Sequence, residues 1–285
     1  MTLEPRAARR AWHGAINPFH AVVYFSPDTV TTYRSLGLTD RTAANLASRA
    51  AALGAVGPGT VAATFYNYRY DLIAARFPAV WDVATPAQVL AARLRAADAT
   101  LRRLLGDETV ESPAMAEAAE LALTATEACT RHGRPLYSAH ADLPVPEEPH
   151  LRLWHATTLL REHRGDGHVT ALVAAGLDPV EALVSHSATG KGFSPKWLTA
   201  TRGWEPAELD AAAERLRERG LLDTDGKLTP AGEELREELE TETDRLDAAP
   251  YAHLGAAGLD RLGQLGGGFV ARAVGAGAFP ADLFG

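Results

Sequence analysis

The chain has 285 residues, 46% hydrophobic and 22% charged, the balance of a folded globular protein with room for two domains or one long one. No apolar run approaches the ~20 residues that span a bilayer, MTLEPRAARRAWHG lacks the apolar stretch of a secretory signal, and the single Cys129 makes neither an internal disulfide nor a thiolate zinc site, so a cytoplasmic protein with no membrane partner is expected. Asp and Glu total 36 against 28 for Lys and Arg, a net charge of −8, which disfavours nonspecific binding to phosphate backbones.

In chain order, the first block is HAVVYFSPDTVTTYRSLGLTDRTAANLASRAAALGAV, 20–56, followed by Gly57-Pro58-Gly59 as a wing turn. FYNYRYDLIAARFPAVWDVA comes next, with a helix starting near Tyr70 and core packing at 77–81. Thr85-Pro86 caps a helix over 86–105 that Gly106 ends, and Ser112-Pro113 starts another over 113–132. Pro135 and the proline-rich 143–149 mark a rigid loop. It divides a half at 1–143 from a half at 150–285, with 144–149 as linker. A long helix is expected from about 150 and another from Asp178-Pro179 to about 188. Further on, Gly266-Gly267-Gly268 is expected to break any continuous helix in the Gly- and Ala-rich C-terminal segment 255–284.

The segment HSATGKGFSPKWLTATRGWEPAELDAAAERLRERGLL, 186–222, repeats the first block. His20 and His186 open the copies; Phe25-Ser26-Pro27 matches Phe193-Ser194-Pro195; Gly37, Arg49 and Gly54 match Gly203, Arg215 and Gly220. In the second copy a short helix follows Ser194, and Leu209, Ala212, Ala213 and Leu216 stripe a helix over 206–219. Asp225-Gly226 turns a hairpin, and Thr229-Pro230 caps a helix over 230–247. Helix, turn, helix, hairpin, helix is a winged helix-turn-helix.

RLRERGLLDTDGKLTPAGEELREELETETDRL resembles the recognition-helix, wing and following-helix segment of MarR-type regulators. With HAVVYF, AALGAV, FYNY and LREHRGDGH, most of the chain is similar to an actinobacterial MarR-like winged helix-turn-helix family of largely uncharacterised proteins. The resemblance implies a mostly α fold. Two duplicated winged helix-turn-helix units with small β wings would be joined by a central helical layer. It implies a setting in specialised metabolism, and a label of regulator that fold alone does not fix.

A DNA reader lays a basic recognition helix in the major groove. ELDAAAERLRERG offers Arg215, Arg217 and Arg219 against Glu208, Asp210, Glu214 and Glu218, and its wing has two aspartates and one lysine. The first copy offers Arg41, Asn45 and Arg49 beside an uncharged wing. DNA is thus the competing partner, disfavoured by charge.

Seven of the ten histidines lie between 132 and 186. In LRLWHATTLLREHRGDGHVTALV, Leu151, His155, Leu159, Glu162, Asp166, Val169 and Val173 share one helical stripe. Ionisable groups on an apolar stripe either pair internally or line a site. His155, Glu162 and Asp166 have the chemistry of metal ligands, although Gly165 and Gly167 threaten the helix. A histidine–carboxylate set also suits acid–base catalysis, which makes His155, Glu162, His163 and Asp166 the catalytic candidates. Arg161, Arg164 and His168 suit an anionic or aromatic ligand, with His20 and His186 approaching from the two copies and Tyr66 and Asn67 lining a pocket. The bland reading is a salt-bridge network of Arg161, Glu162, Arg164 and Asp166.

The chain has no Walker A loop, dinucleotide fingerprint or nucleophile elbow. The reading that follows is a repurposed winged-helix protein binding a small molecule in a cleft between its repeats, with acid–base chemistry if it is an enzyme. The alternative is a MarR-like DNA-binding regulator. Cofactor, metal, reaction and oligomeric state stay open.

Overall fold

A serine, threonine or acidic residue followed by proline opens most of the longer described helices. The first side chain takes an orphan backbone N–H, and the proline presets φ where no donor is needed. Ser26 accepts from the Asp28 N–H, Ser112 from that of Met115, and Asp178 from those of Val180 and Glu181. Thr85 and Gln88 form a reciprocal capping box.

The computed structural model describes residues 5–192 and 194–280. Phe193 of the second Phe-Ser-Pro and the end of the C-terminal segment lie outside the described residues. The longer helices are α1 (Pro27–Ser35), α2 (Arg41–Ala50), α3 (Pro58–Phe65), α4 (Pro86–Leu105), α5 (Pro113–Thr126) and α6 (Pro149–Ala174). They continue as α7 (Pro179–Ser187), α8 (Pro195–Arg202), α9 (Pro206–Glu218), α10 (Pro230–Leu246) and α11 (Ala248–Gly275).

Two compact units form. The first comprises the described residues up to Ala55, with Ala79–Gly167 and Asp244–Phe279; the second comprises Val56–Pro78 and His168–Thr243. The proline-rich 144–149 lies inside the first. Ile16, Phe19, Leu101, Met115, Leu153, Leu160, Tyr251 and Leu259 form much of the first core. Ala171, Leu172, Leu177, Leu216, Leu222 and Leu239 form the second. Each fully buried leucine contributes about 2 kcal/mol.

Each unit carries a pair of successive helices separated and ended by positive-φ glycines. In the first, α1 ends toward Gly37 (φ 87°), Asp40 caps α2, and Gly54 (φ 85°) follows. In the second, α8 ends at Gly203 (φ 79°), Glu205 caps α9, and Gly220 (φ 70°) follows. At 203 glycine is needed twice over, because a Cβ there would meet Leu72 Cβ at 2.9 Å.

Three local expectations need correction. The segment expected as a first wing is helix α3: Pro58 sits at its first turn, and Val61, Thr64 and Phe65 recur at helical spacing on a buried face. The hairpin after α9 reduces to one antiparallel bridge, Leu222 with Leu228. Asp223 Oδ1 pins its turn by accepting from the Asp225 and Lys227 N–H groups. Among the described residues no other β pairing occurs. The helical run in the C-terminal segment breaks at Gly255 (φ 75°, ψ 166°) and passes through Gly266–Gly268. Gly266 faces Ala15, whose Cβ would lie 2.8 Å from an added Cβ, so that glycine serves close packing.

Candidate functional site

Helix α6 forms despite its two glycines, and one of them lies in close contact with the side chains packed on it. A Cβ at Gly167 would sit 2.8 Å from Arg134 Nη1 and 3.3 Å from Leu246 Cβ. Arg134 donates there to the carbonyls of His163 and Leu246. The expected stripe is buried at Leu151, His155, Leu159, Glu162 and Asp166, whereas Val173 is 60% exposed. From Leu153 to Leu160 the helix is buried on every side, so its ionisable groups must find partners inside the protein.

They sort into separate clusters. The first gathers around Glu162, which is 2% exposed and lies 2.7 Å from Arg161 and 3.6 Å from Arg49. Burial pushes its carboxyl up, but Arg161 and Arg49, with His140 and Arg93, outweigh that and hold its pKa at about 2. His20 bonds Thr158 Oγ1 and Tyr24 OH, each at 2.8 Å, and stacks on Trp154. Burial first, then Arg161, Arg93 and Arg49, keeps its pKa well below the ordinary value.

His140 and Arg93, neither of them on α6, complete this cluster. The backbone carbonyl of Leu136 takes the His140 Nδ1–H at 2.8 Å, so Nε2 accepts from Arg93 Nη1 at 2.6 Å. Burial and Arg93 lower the His140 pKa to about 3, and the same two causes lower that of His155 to about 4. The His155 side chain is 7% exposed. The Arg93 guanidinium, 4% exposed, lies 5.0 Å over the Trp154 ring, and among the described residues its Nε and Nη2 have no hydrogen-bond partner.

Beside Arg93 a cavity of ≈ 50 Å³ lies among α1, α2 and α4, lined by Tyr24, Tyr33, Asn45, Ser48 and Ala96. Ligand pockets for drug-sized molecules measure roughly 300–1,000 Å³, so this one takes only a few atoms.

The second cluster uses the next turn of α6. His163 Nδ1 lies 2.6 Å from Asp247 Oδ1, and its Nε2 accepts the Thr130 N–H at 3.3 Å. Both ring nitrogens are thus engaged. Arg164 lies 2.8 Å from Asp244 and 4.9 Å over the Trp12 ring, and Arg9 also reaches Asp244 at 2.7 Å. Asp166 Oδ2 accepts the Tyr137 N–H at 2.9 Å, and burial raises its pKa to about 6. Burial, then Asp247, pushes the nearby Cys129 thiol up to about 12.

The remaining candidates belong to the second unit. Tyr66 (φ 58°) donates its hydroxyl to the Leu177 carbonyl at 2.5 Å, and the Asn67 carbonyl accepts from Trp204 Nε1 at 3.0 Å. His168 bonds Thr243 Oγ1 at 2.9 Å; His186 faces Arg236 at 3.3 Å. These four therefore contact structural partners within their own unit.

Among the described residues no group of three or more His, Cys, Asp and Glu is placed to hold a metal. Asp166 is turned to backbone and Glu162 to arginines. Sequence reading overlooked Arg93 and Asp247. Arg93 sits mid-way along an amphipathic helix, where an arginine reads as surface, and its only signal is its place among Val89, Ala92, Ala96 and Ala97, all buried.

The first helix-turn-helix buries its second helix: Ala43, Ala44, Leu46, Ala47, Ser48 and Ala50 of α2 face inward. In the second, the arginines of α9 serve intramolecular pairs. Arg215 reaches Asp178 at 2.6 Å and Glu181 at 3.0 Å, Arg219 reaches Glu181 at 2.9 Å, and Arg217 reaches Glu214 at 2.9 Å.

No curated protein and no solved structure matches this chain at a significant level. A family model described as a helix-turn-helix family matches residues 8–280. The chain belongs to the helix-turn-helix family.

Proposed function

We propose that this protein is a helix-turn-helix fold repurposed to bind a small molecule, with the buried ionisable cluster of the first unit as its functional centre. The observation that carries this is the collection of His20, Arg93, His140, His155 and Glu162, all under 9% exposed, in one electrostatically coupled group. Perturbed ionisable groups concentrate at functional sites.

Binding is favoured over turnover. A general base works best with a pKa near the working pH. His155 is held at about 4 by burial and Arg93, His163 has both nitrogens engaged, and Asp166, though raised to about 6 by burial, is tied to the Tyr137 N–H. A winged-helix ancestry by duplication accounts for the two matched helix-turn-helix frames, and a place in specialised metabolism remains part of this proposal.

The second reading, a MarR-like DNA-binding regulator, is favoured by family membership. Against it stand the buried α2, the paired arginines of α9 and the net charge of −8. Native mass spectrometry of the purified protein, with fluorescence anisotropy on the neighbouring intergenic DNA across a salt series, separates the two. A small-molecule adduct lost on denaturation, with no DNA binding, is expected. Tight promoter binding that weakens steeply with salt would overturn the proposal.

A further inference from the structure

We propose that the mouth of the cavity among α1, α2 and α4 binds the phosphate of a small phosphate monoester, whose organic end enters the cavity. This rests on the small-molecule reading above and gives it a ligand class.

Charge selects the phosphate. In a chain of net charge −8, every charged residue lining this cavity is an arginine: Arg34, Arg41 and Arg93. The carboxylates that these three helices carry, or that cap them, are engaged elsewhere. Asp28 pairs with Arg103, Asp40 caps α2, and Asp98 lies against Arg102 and His150. Arg93 adds charge alone, since its unpartnered nitrogens are sealed in the interior. Arg34 and Arg41 flank the turn between α1 and α2 and are exposed. Among the described residues neither has an ion pair or a side-chain hydrogen bond. A concave surface of one sign with low-dielectric walls concentrates counter-ions. Two free guanidiniums match the two charges of a phosphate monoester, and arginine N–H groups fit its oxygens. A carboxylate would leave one of them unmatched.

Shape selects the rest. Arg34, Thr39 and Arg41 are the exposed lining residues, so the cavity opens between them, while Val23, Leu38, Ala44 and Ala96 form a buried apolar floor. Thr29 and Ser48 donate their hydroxyls to the Val23 and Asn45 carbonyls, which takes two donors from the walls. A volume of ≈ 50 Å³ holds about four water-sized groups. That admits a short alkyl end and excludes a sugar or a base.

The test is calorimetric titration of ethyl phosphate into the full chain at constant ionic strength, at a pH above the second phosphate pKa of about 6. Inorganic phosphate, propionate and a DNA duplex from the neighbouring intergenic region are parallel titrants. Arg34→Gln and Arg41→Gln are tested singly and together, and Ala44→Val narrows the floor. Ethyl phosphate is expected to bind one per chain and more tightly than inorganic phosphate or propionate. Each arginine variant should weaken it about five-fold, the weight of one charge pair in water, and the double variant should abolish it. Ala44→Val should bring ethyl phosphate down to the level of inorganic phosphate. If Ala44→Val does not fold, the exposed arginine variants decide. Ethyl phosphate binding undiminished in the double variant, or no tighter than inorganic phosphate or propionate, overturns the site. Silence toward ethyl phosphate with another small molecule copurified on the protein overturns this site and spares the preceding reading. Salt-steep DNA binding that the double variant loses assigns the two arginines to a nucleic-acid backbone and overturns both.

Discussion

The two helix-turn-helix segments share a frame and have opposite fates. In the first, alanines dominate α2, so the helix sinks into the core and its Arg49 turns inward to a buried carboxylate. In the second, charges dominate α9, so only Ala212 and Leu216 are buried and the arginines stay near the surface. Turn chemistry set by glycine and the capping residues survives in both. What the second helix does is decided by the side chains between those marks. A shared frame of glycines and caps therefore does not by itself fix what the second helix does.

The largest effect expected from this contrast is at the central carboxylates. Glu162→Gln strands Arg161 and Arg49 beside a neutral group in the interior, and should cost about 3–5 kcal/mol in urea unfolding. The matched change Glu181→Gln removes a buried carboxylate whose partners Arg215 and Arg219 are 44% and 36% exposed, so about 1 kcal/mol is expected. Equal losses would break the contrast.

Acid should next distinguish the buried cluster. His155 and His140, held at about 4 and 3, bind fewer protons folded than unfolded. Their contribution is fully present above pH 6.5 and is lost as pH falls toward those values. For His155 alone this amounts to roughly 3 kcal/mol. Asp166, raised to about 6, has the opposite sign: acidification from 6 toward 3.8 favours the folded state. The three histidines, His20 included, outweigh it. The urea midpoint should fall between pH 7 and 4, and a flat profile would refute the neutral-histidine assignment.

Smaller effects sharpen the comparison of frames. Gly203→Ala combines positive φ with a clash on Leu72 and should cost about 2–3 kcal/mol. Gly54→Ala has open space around it but sits at φ 85°, ψ −163°, a region essentially restricted to glycine, and should cost about 1–3 kcal/mol through the backbone alone. Arg215→Ala breaks exposed pairs and should lower stability by less than about 1 kcal/mol, as read from thermal melts.

Much of the fold was legible because its punctuation is local. The Thr85 cap and Gly106 delimit α4 as read, and α6, α7, α8, α9 and α10 begin where their prolines stand. The first wing was misread because Gly-Pro-Gly serves a turn or a helix start equally, and the buried face of Val61 and Phe65 decides between them. The burial of His155, Glu162 and Asp166 follows from their place on a largely apolar stripe, whereas His132 and His186 are exposed. The partners of the stripe were not legible, since Arg93, His140 and Asp247 come from distant chain positions that no periodicity connects to α6. The division into noncontiguous units was equally beyond a linear reading.

Cys129 offers a practical opportunity. Partly buried near Asp247 and Tyr137, its thiol is held far from ionisation at neutral pH, so maleimide reagents should react with it slowly. Engineered cysteines on exposed positions such as Lys196 or Lys227 can then be labelled with fluorophores in the native background, without first removing the natural one.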